Sequence, residues 1–437
     1  MALSRIKLAP ILAVLGCGPG GSDGVPVEIT GVTTELSDDV VTVVTVRWQT
    51  SEPVAGRVRF GTEGERDRVT PDTAVGTDHT AVLVGLPAEA EVSLQVEAGD
   101  ASGEVLTATT GSLPADVPGT VLTGAEGEGF LLTTSTGSVN WLLMLDPLGR
   151  VVWYHADERG LSVFRARVSA DGSGVVYTSV LEGGRPSDSS EIVRVPWAGG
   201  SGSAVRVPAL AHDFVELEEG TVVSLASPVI DDIEGSSLLA VEADGAQTEL
   251  WNTWDCLDPI ANAGDVGDPG WTHANAVDRD PDSGGYFVGL RNLGTIVLVD
   301  PTDRSCPWAL GGSGGTLDID GARFIHEHQF ERTAGGMLVF DNDGAAGSVS
   351  RGIEYAIDLE AGTASEMQTF EADPPLYSFI MGDVHRFANG DTLVLFSAPN
   401  VIDRYDAGGA RVGRLEIDGT GPLGFASVLA TPYLPGP

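Results

Sequence analysis

The sequence predicts an all-β protein in which a small β-sandwich precedes a six-bladed β-propeller. Short apolar strands separated by turn residues run through the chain with almost no helical period. Across residues 114–437 a pair of hairpins recurs, and two hairpins make one four-stranded blade. We therefore expect two domains, covering residues 26–113 and 114–437.

The first residues have the pattern of an export signal. In residues 1–16, Arg5 and Lys7 precede an apolar run that is too short to span a bilayer. The segment ending at Cys17 resembles a lipobox, in which the cysteine becomes the acylated first residue of the mature chain; a plain signal peptide with an incidental cysteine is the alternative. Residues 17–25 are glycine-rich and predict a flexible tether. We expect an exported bacterial lipoprotein, on the periplasmic face or the cell surface, whose only membrane contact is its lipid.

Residues 26–113 read as a β-sandwich of short strands. The predicted strands are Val40–Val46, Gly56–Phe60, Ala81–Leu86 and Val92–Ala98. The stretches His79–Pro87 and Leu94–Ala98 resemble a fibronectin type III domain. That resemblance is generic and implies no chemistry.

The propeller prediction depends on a repeated unit: a strand with a polar residue at its start, a turn and an apolar strand. His212, His273 and His328 hold the same position in three copies, 61 and 55 residues apart, so about six blades fit the segment. A long β-sandwich or jelly roll is the alternative. His385, in a weaker fourth copy, is three positions out of register, so we expect it on the other face of its strand.

Charge excludes one class of partner. The chain has 63 acidic and 24 basic residues, and the basic residues do not cluster along the sequence. Binding to nucleic acid or to an anionic lipid surface requires a basic patch, so neither is expected. A small anionic substrate remains possible, because a few His and Arg side chains in a cleft can outweigh a diffuse negative field.

The cysteines predict one disulfide. Acylation of Cys17 would leave Cys256 and Cys306 as an even pair in an oxidising compartment. Two buried free thiols are the alternative.

The repeated histidines are the candidate site, because the innermost strand of each blade faces the central channel. Convergent imidazoles could ligate a metal such as zinc, or act as nucleophile and general acids around an anionic group. Arg291 lies 18 residues after His273 and favours the second chemistry, since a guanidinium fits a pair of sulfate or phosphate oxygens and repels a metal ion. A surface salt bridge is the alternative for Arg291.

The segment Trp271–Val277, followed by Arg291, resembles the bacterial arylsulfotransferases, which transfer sulfate between phenols without a nucleotide sulfate donor. The resemblance spans roughly residues 115–435. Further segments that agree with it are Ala211–Phe214, Glu327–Phe330, Val339–Asn342 and Asn389–Leu393.

The resemblance implies a six-bladed propeller whose channel histidine is transiently sulfated. Carried over by motif, His328 is the expected nucleophile. His212, His273 and Arg291 are expected to hold the sulfuryl oxygens and protonate the leaving phenol. The substrates would be an aryl sulfate and a phenol, and no metal or other cofactor is expected.

Two further positions belong to this expected site. Asn275 and His326 are expected to contact substrate, and His326 is also a rival nucleophile. The family usually has Gln where this chain has Glu327. A non-catalytic surface binding propeller and a metal-dependent hydrolase using the same histidines are the alternatives, and donor, acceptor and oligomeric state stay open.

Overall fold

The computed structural model describes residues 26–180, 189–258, 270–344, 348–419 and 421–434. Within these ranges the chain forms strands and two short 3-10 turns, and no α-helix, so the predicted all-β class is confirmed. None of the helical turns found there is long and apolar enough to cross a membrane. The predicted signal, the tether and Cys17 lie outside the described residues.

The first seven strands form two sheets, ordered β1-β2-β5 and β4-β3-β6-β7. The strands are β1 (Ile29–Leu36), β2 (Val44–Val54), β3 (Gly56–Thr62), β4 (Arg68–Val69), β5 (Gly76–Leu83), β6 (Glu91–Ala98) and β7 (Ala101–Thr109). In β2 the buried Val44, Val46 and Trp48 alternate with less buried residues, as expected for a strand with one face on a core. The fibronectin-like character of this part and its boundary at residue 113 stay predictions.

The rest of the described chain is a succession of short antiparallel hairpins. The strands are β8 (Thr120–Gly124), β9 (Phe130–Ser135), β10 (Asn140–Leu145), β11 (Val151–Asp157), β12 (Ser162–Val168), β13 (Gly174–Val180), β14 (Glu191–Pro196), β15 (Ser203–Arg206), β16 (Leu210–Glu216), β17 (Val222–Ala226), β18 (Val229–Ile230), β19 (Ile233–Glu234), β20 (Ser237–Val241), β21 (Gln247–Asn252), β22 (Ala274–Arg279), β23 (Tyr286–Leu290), β24 (Thr295–Val299), β25 (Ala309–Gly311), β26 (Asp318–Asp320), β27 (Phe330–Thr333), β28 (Gly336–Asp341), β29 (Arg351–Asp358), β30 (Thr363–Glu371), β31 (Asp383–Arg386), β32 (Thr392–Phe396), β33 (Val401–Tyr405), β34 (Arg411–Ile417) and β35 (Leu423–Leu429). The 3-10 turns are Thr253–Asp255 and Arg291–Leu293.

These strands build six sheets of four or five strands, besides the small β18-β19 hairpin. Sheets 1 to 6 have the orders β11-β10-β9-β35, β12-β13-β14-β15, β16-β17-β20-β21, β22-β23-β24-β25, β26-β30-β29-β28-β27 and β31-β32-β33-β34-β8. Each sheet thus ends on one side in a strand that we call its inner strand: β35, β12, β16, β22, β27 or β31. Successive four-stranded sheets are the arrangement of a β-propeller. The count of six blades stays a prediction that these six sheets support.

A buried network of polar side chains and backbone amides, which we call the central network, joins all six inner strands. Arg165 donates to Asp213 at 3.0 Å and to Asp383 at 3.3 Å. Its members, one from each inner strand or the residue before it, are Arg165, Asp213, Val277, Gln329, Asp383 and Ala426. Because Arg165 lies between two carboxylates, its charge is compensated within the network.

The first and last strands of this part of the chain, β8 and β35, close the set of sheets. The pairing of β35 with β9 completes sheet 1, and the pairing of β8 with β34 completes sheet 6. The first sandwich also packs on sheet 1, where Tyr154 accepts a hydrogen bond from the amide of Val41 at 3.1 Å and Thr42 donates to the carbonyl of Val152 at 2.9 Å.

The disulfide prediction is confirmed, since Cys256 and Cys306 are bonded, with their Cα atoms 5.9 Å apart. Cys256 follows β21 of sheet 3 and Cys306 lies between two strands of sheet 4, so the bond joins neighbouring sheets.

The expectation for His385 is confirmed. Asp213 and Asp383 hold equivalent positions, because each accepts the amide of the next residue at 2.8 Å and each binds Arg165. His385 therefore matches Val215, two residues further on, and shares the face of Asp383. His385 thus lies three positions after Gly382, the equivalent of His212, as the distance to the following glycine indicated.

Candidate functional site

The predicted histidines come together at one end of the inner strands. His212 lies in β16, where the pairing with β17 is interrupted by a bulge between Leu210 and Phe214. The ring centroids of His212 and His273 are 5.0 Å apart. Bulges often aim a side chain into a site, and here the bulge belongs to the strand that carries His212.

His273 and Arg291 are held together by the hairpin of β22 and β23. His273 directly precedes β22 and has a positive φ of 47°, an uncommon conformation for a residue other than glycine. Arg291 begins the turn after β23, and its amide donates to the His273 carbonyl at 3.2 Å. This bond explains the spacing of 18 residues: one hairpin separates the two side chains.

His328 has a fixed tautomer. Its Nδ1 lies 2.7 Å from Oδ1 of Asn342. The amide nitrogen of Asn342 donates to the carbonyls of Ser378 and Met381, each at 2.7 Å, so Oδ1 must be an acceptor and Nδ1 of His328 carries the proton. The unprotonated atom of the neutral ring is therefore Nε2.

Both His212 and His328 are neutral at neutral pH. Burial lowers the pKa of His328 to about 3; Arg291 and His212 lower it too, while the hydrogen bond to Asn342 opposes the fall. Burial also lowers the pKa of His212 to about 4, and the charge of Arg291 adds to that shift. A neutral imidazole beside a permanent cation is a nucleophile or base in a field that favours anions.

Glu327 is a buried carboxyl next to the expected nucleophile. Its side chain has no exposed surface, and within the described ranges neither carboxyl oxygen reaches a hydrogen-bond partner. Burial, then the nearby Asp341, raise the pKa of Glu327 well above its usual value, and Arg291 opposes the shift. Asn275 is also fully buried and donates to the Glu327 carbonyl at 2.6 Å. Asn275 therefore positions the chain before His328.

His326 is half-buried and has a positive φ of 56°. Its imidazole lies against Gly344, where an added Cβ would come within 2.5 Å of Nδ1. Tautomer and burial distinguish His328 from this rival, because His328 is only 2% exposed and is bonded to Asn342.

Aromatic side chains flank the histidines. Phe164 of β12 stacks on His212 with ring centroids 4.8 Å apart, and the centroid of Phe425 of β35 is 6.4 Å from that of His328. Sequence reasoning missed these two residues and Asn342. Asn342 belonged to a segment that carried the family resemblance, whereas the phenylalanines gave no signal because aromatic residues in strands are usually core.

Within the described residues, no group of three or more His, Cys, Asp or Glu side chains is placed to hold a metal ion.

Fold and site together define an all-β protein, built of successive sheets of four or five strands, that holds imidazoles and a guanidinium at one end of its inner strands. The chain belongs to the arylsulfotransferase (ASST) family, whose sequence profile matches residues 123–418. The match includes all of the expected site residues of the second domain.

A comparison with curated proteins finds no match. Among solved structures, a protein of unknown function from Bacteroides caccae is 14% identical, with a TM-score of 0.46, over 71% of this chain and 99% of that one. The periplasmic gluconolactonase PpgL of Pseudomonas aeruginosa is 13% identical, with a TM-score of 0.42, over 71% and 100%. Virginiamycin B lyase from Staphylococcus aureus is 12% identical, with a TM-score of 0.37, over 69% and 88%.

Proposed function

We propose that the protein transfers a sulfuryl group from an aryl sulfate to a phenol through an N-sulfated His328. Membership of the arylsulfotransferase family supports a sulfotransferase-like enzyme. The observation that carries the finer proposal is the neutral His328 ring, in which the hydrogen bond to Asn342 fixes the proton on Nδ1 and so leaves the nucleophilic lone pair on Nε2.

In the first step the Nε2 lone pair of His328 forms a bond to sulfur, and the bond from sulfur to the aryl oxygen breaks. The electron pair leaves with the phenoxide, and the ring keeps its Nδ1 proton, so the sulfated imidazole carries a positive charge beside its sulfonate. Asn342 accepts the hydrogen bond from that proton and stabilises this charge. Negative charge grows on the sulfuryl and leaving oxygens, where Arg291 and the neighbouring imidazoles act as donors.

In the second step an acceptor phenol loses its proton, and its oxygen attacks sulfur while the bonding pair returns to Nε2. His212 fits the role of proton acceptor, because burial keeps it neutral before the reaction. The proton can then pass to the phenoxide that left in the first step. Charge and protons balance over one full turnover.

A cleft of about 630 Å³ beside Phe164 offers room for the aryl ring. Its apolar lining includes Leu161, Ile380, Met381 and Pro422, and Phe164 also stacks on His212. The Phe164 ring favours an aryl over an alkyl ester, since aromatic rings gain energy from offset stacking.

The test is release of p-nitrophenol from p-nitrophenyl sulfate, with and without an acceptor phenol and in the presence of a chelator. We expect acceptor-stimulated turnover in the wild type and its loss in His328→Ala. Mass spectrometry of protein quenched without acceptor should find one SO3 group on the peptide, at His328 and not at His326.

His155→Gln is the matched control, because this half-buried histidine lies in β11, outside the site. Folded wild type that is silent with several aryl sulfates would favour a non-catalytic binding propeller. Activity that a chelator abolishes would favour a metal-dependent hydrolase. Sulfation at His326 would assign the nucleophile to that residue.

We also propose that the protein is an exported lipoprotein anchored through Cys17, which the lipobox-like pattern supports. Cys17→Ser should move the protein from the detergent phase to the aqueous phase on Triton X-114 partition and abolish labelling with a radioactive fatty acid. Unchanged partition would contradict the anchor.

A further inference from the structure

A second cleft opens at the opposite end of the inner strands from the histidines. These strands run away from the site: on β12, Phe164 beside His212 precedes Arg167, and on β27 the residues after His328 end at Thr333. The cleft has a volume of about 420 Å³ and is lined by residues of β12, β22, β27, β31 and β35. A smaller one of about 170 Å³ adjoins it and adds residues of β16. The central network lies between the histidines and this cleft, which we call the far cleft.

We propose that the far cleft is a second binding site, which takes a small oxyanion on Arg167 and His385. This site is distinct from the histidine site and does not depend on the proposed transfer reaction. The expected ligand is a small oxyanion, either tetrahedral or a carboxylate, such as sulfate or a small organic acid.

Positive charge is concentrated in the far cleft. The chain as a whole has 24 basic residues against 63 acidic ones. The lining of the far cleft has four arginines and three acidic residues: Arg165, Arg167, Arg279 and Arg332, and Asp278, Glu331 and Asp383. Arg165 and Asp383 are paired within the central network, which leaves three arginines against two acidic residues. A local excess of fixed cations in an acidic protein attracts anions to one place.

Arg167 has donors left for a ligand. Its Nε donates to the carbonyl of Phe214 at 2.8 Å, which fixes the direction of the guanidinium. The nearest carboxylate among the described residues is Asp213, at 3.8 Å from Nη2, and its Oδ1 already accepts from Arg165 and from the amide of Phe214. The Arg167 side chain is only 19% exposed, so its charge is held in a poorly solvated place. A planar oxyanion can accept two of its N–H groups at once.

The other lining charges fit the same ligand. Glu331 is occupied, because its Oε2 lies 2.7 Å from Nδ1 of His385 and accepts the amide of Arg386 at 3.0 Å. With Nδ1 directed at Glu331, the Nε2–H of His385 can donate to an anion when the ring carries both protons. Asp278 accepts only the amide of Arg279 among the bonds of the described residues, and it forms no ion pair there.

The carboxyl of Asp278 links binding to pH. Burial raises the pKa of Asp278 to about 6, against the opposing charge of Arg167. A bound anion would raise this pKa further, so binding takes up a proton and strengthens as the pH falls through this range. The charged or titratable groups around Asp278 on the surrounding strands and turns are Arg165, Arg167, Asp213, Glu216, Glu218, Arg279, Glu331, Asp383 and His385.

The experiment is equilibrium dialysis of the full-length protein with radioactive inorganic sulfate. Arg291→Gln is the background, because it weakens any sulfate binding at the histidines and leaves the far cleft intact. We expect one saturable equivalent in this background, bound about tenfold more weakly at about pH 8 than at about pH 5. The double variant that also carries Arg167→Gln should bind sulfate more weakly by about tenfold or more. Competition with acetate separates a carboxylate site from one selective for sulfate.

Arg59→Gln removes one positive charge from the first sandwich and should leave binding unchanged. If Arg167→Gln does not fold, His385→Gln serves in its place and should weaken binding several-fold. Absence of saturable binding to folded Arg291→Gln would overturn the proposal, as would equal binding after loss of Arg167. Neither result bears on turnover at His328, so the two proposals fail separately.

Discussion

The buried carboxyl of Glu327 sets a pH dependence that a glutamine would remove. Because burial raises its folded pKa above the unfolded value of about 4.5, the folded protein holds a proton that the unfolded chain has lost. The contribution of Glu327 to the free energy of unfolding is most favourable below its unfolded pKa and is lost as the pH rises through its folded pKa. For one group the loss is at most about 1.4 kcal/mol per pH unit.

We therefore expect Glu327→Gln to gain stability over the wild type between about pH 5 and about pH 8, by about 1 kcal/mol or more. Urea unfolding of both proteins at the two pH values measures this difference. Glu331→Gln is the comparison, since Glu331 is a partly exposed and paired glutamate. A difference between wild type and variant that does not change with pH would show that Glu327 does not titrate.

Asn342 is the residue on which the direction of His328 depends. Asn342→Leu keeps similar volume and removes the acceptor that fixes the proton on Nδ1. Partners of this kind are typically worth 10–100-fold in activity, so we expect kcat to fall by about that factor with little change in KM. Nitrogen NMR of the His328 ring should show a mixture of tautomers. A single unchanged tautomer would assign the control of His328 to another group.

At the scale of elements, the central network is what couples strands from six sheets. Arg165 is 3% exposed and bonds Asp213 and Asp383, which are also buried. Removing the arginine leaves the buried Asp383 without its cation and Asp213 with only Arg167, at 3.8 Å. Breaking a buried ion pair in this way typically costs about 3–5 kcal/mol. We expect Arg165→Met to lower the free energy of unfolding by that amount.

Arg194→Met provides the contrast, because Arg194 pairs with Glu216 at 2.7 Å but is 29% exposed. Pairs near the surface contribute about 0–1 kcal/mol. Denaturant unfolding of the two variants should separate them clearly. Equal losses would mean that the network does not join the inner strands energetically.

At the scale of the whole molecule, the parts that could be predicted are those that repeat. His212, His273 and His328 recur at one position of a repeated unit, and a hairpin after His273 carries Arg291, so a single sequence shows them. The central network could not be found in this way, because Arg165, Asp213 and Asp383 are far apart in the chain and meet only through folding.

The pairing of β35 with β9, which closes the set of sheets, could not be predicted from the sequence either. The strand β35 supplies the inner strand of sheet 1, carries the fully buried Phe425 beside His328 and bonds Asp383 through the amide of Ala426. A chain that ends at Asp418 lacks all three contributions. Because the inner strands share one network, we expect it to lose amide protection in all six sheets, whereas a chain that ends at Leu434 should behave as the wild type. Hydrogen exchange followed by mass spectrometry measures this. Loss confined to sheet 1 would show that the sheets fold as separate units.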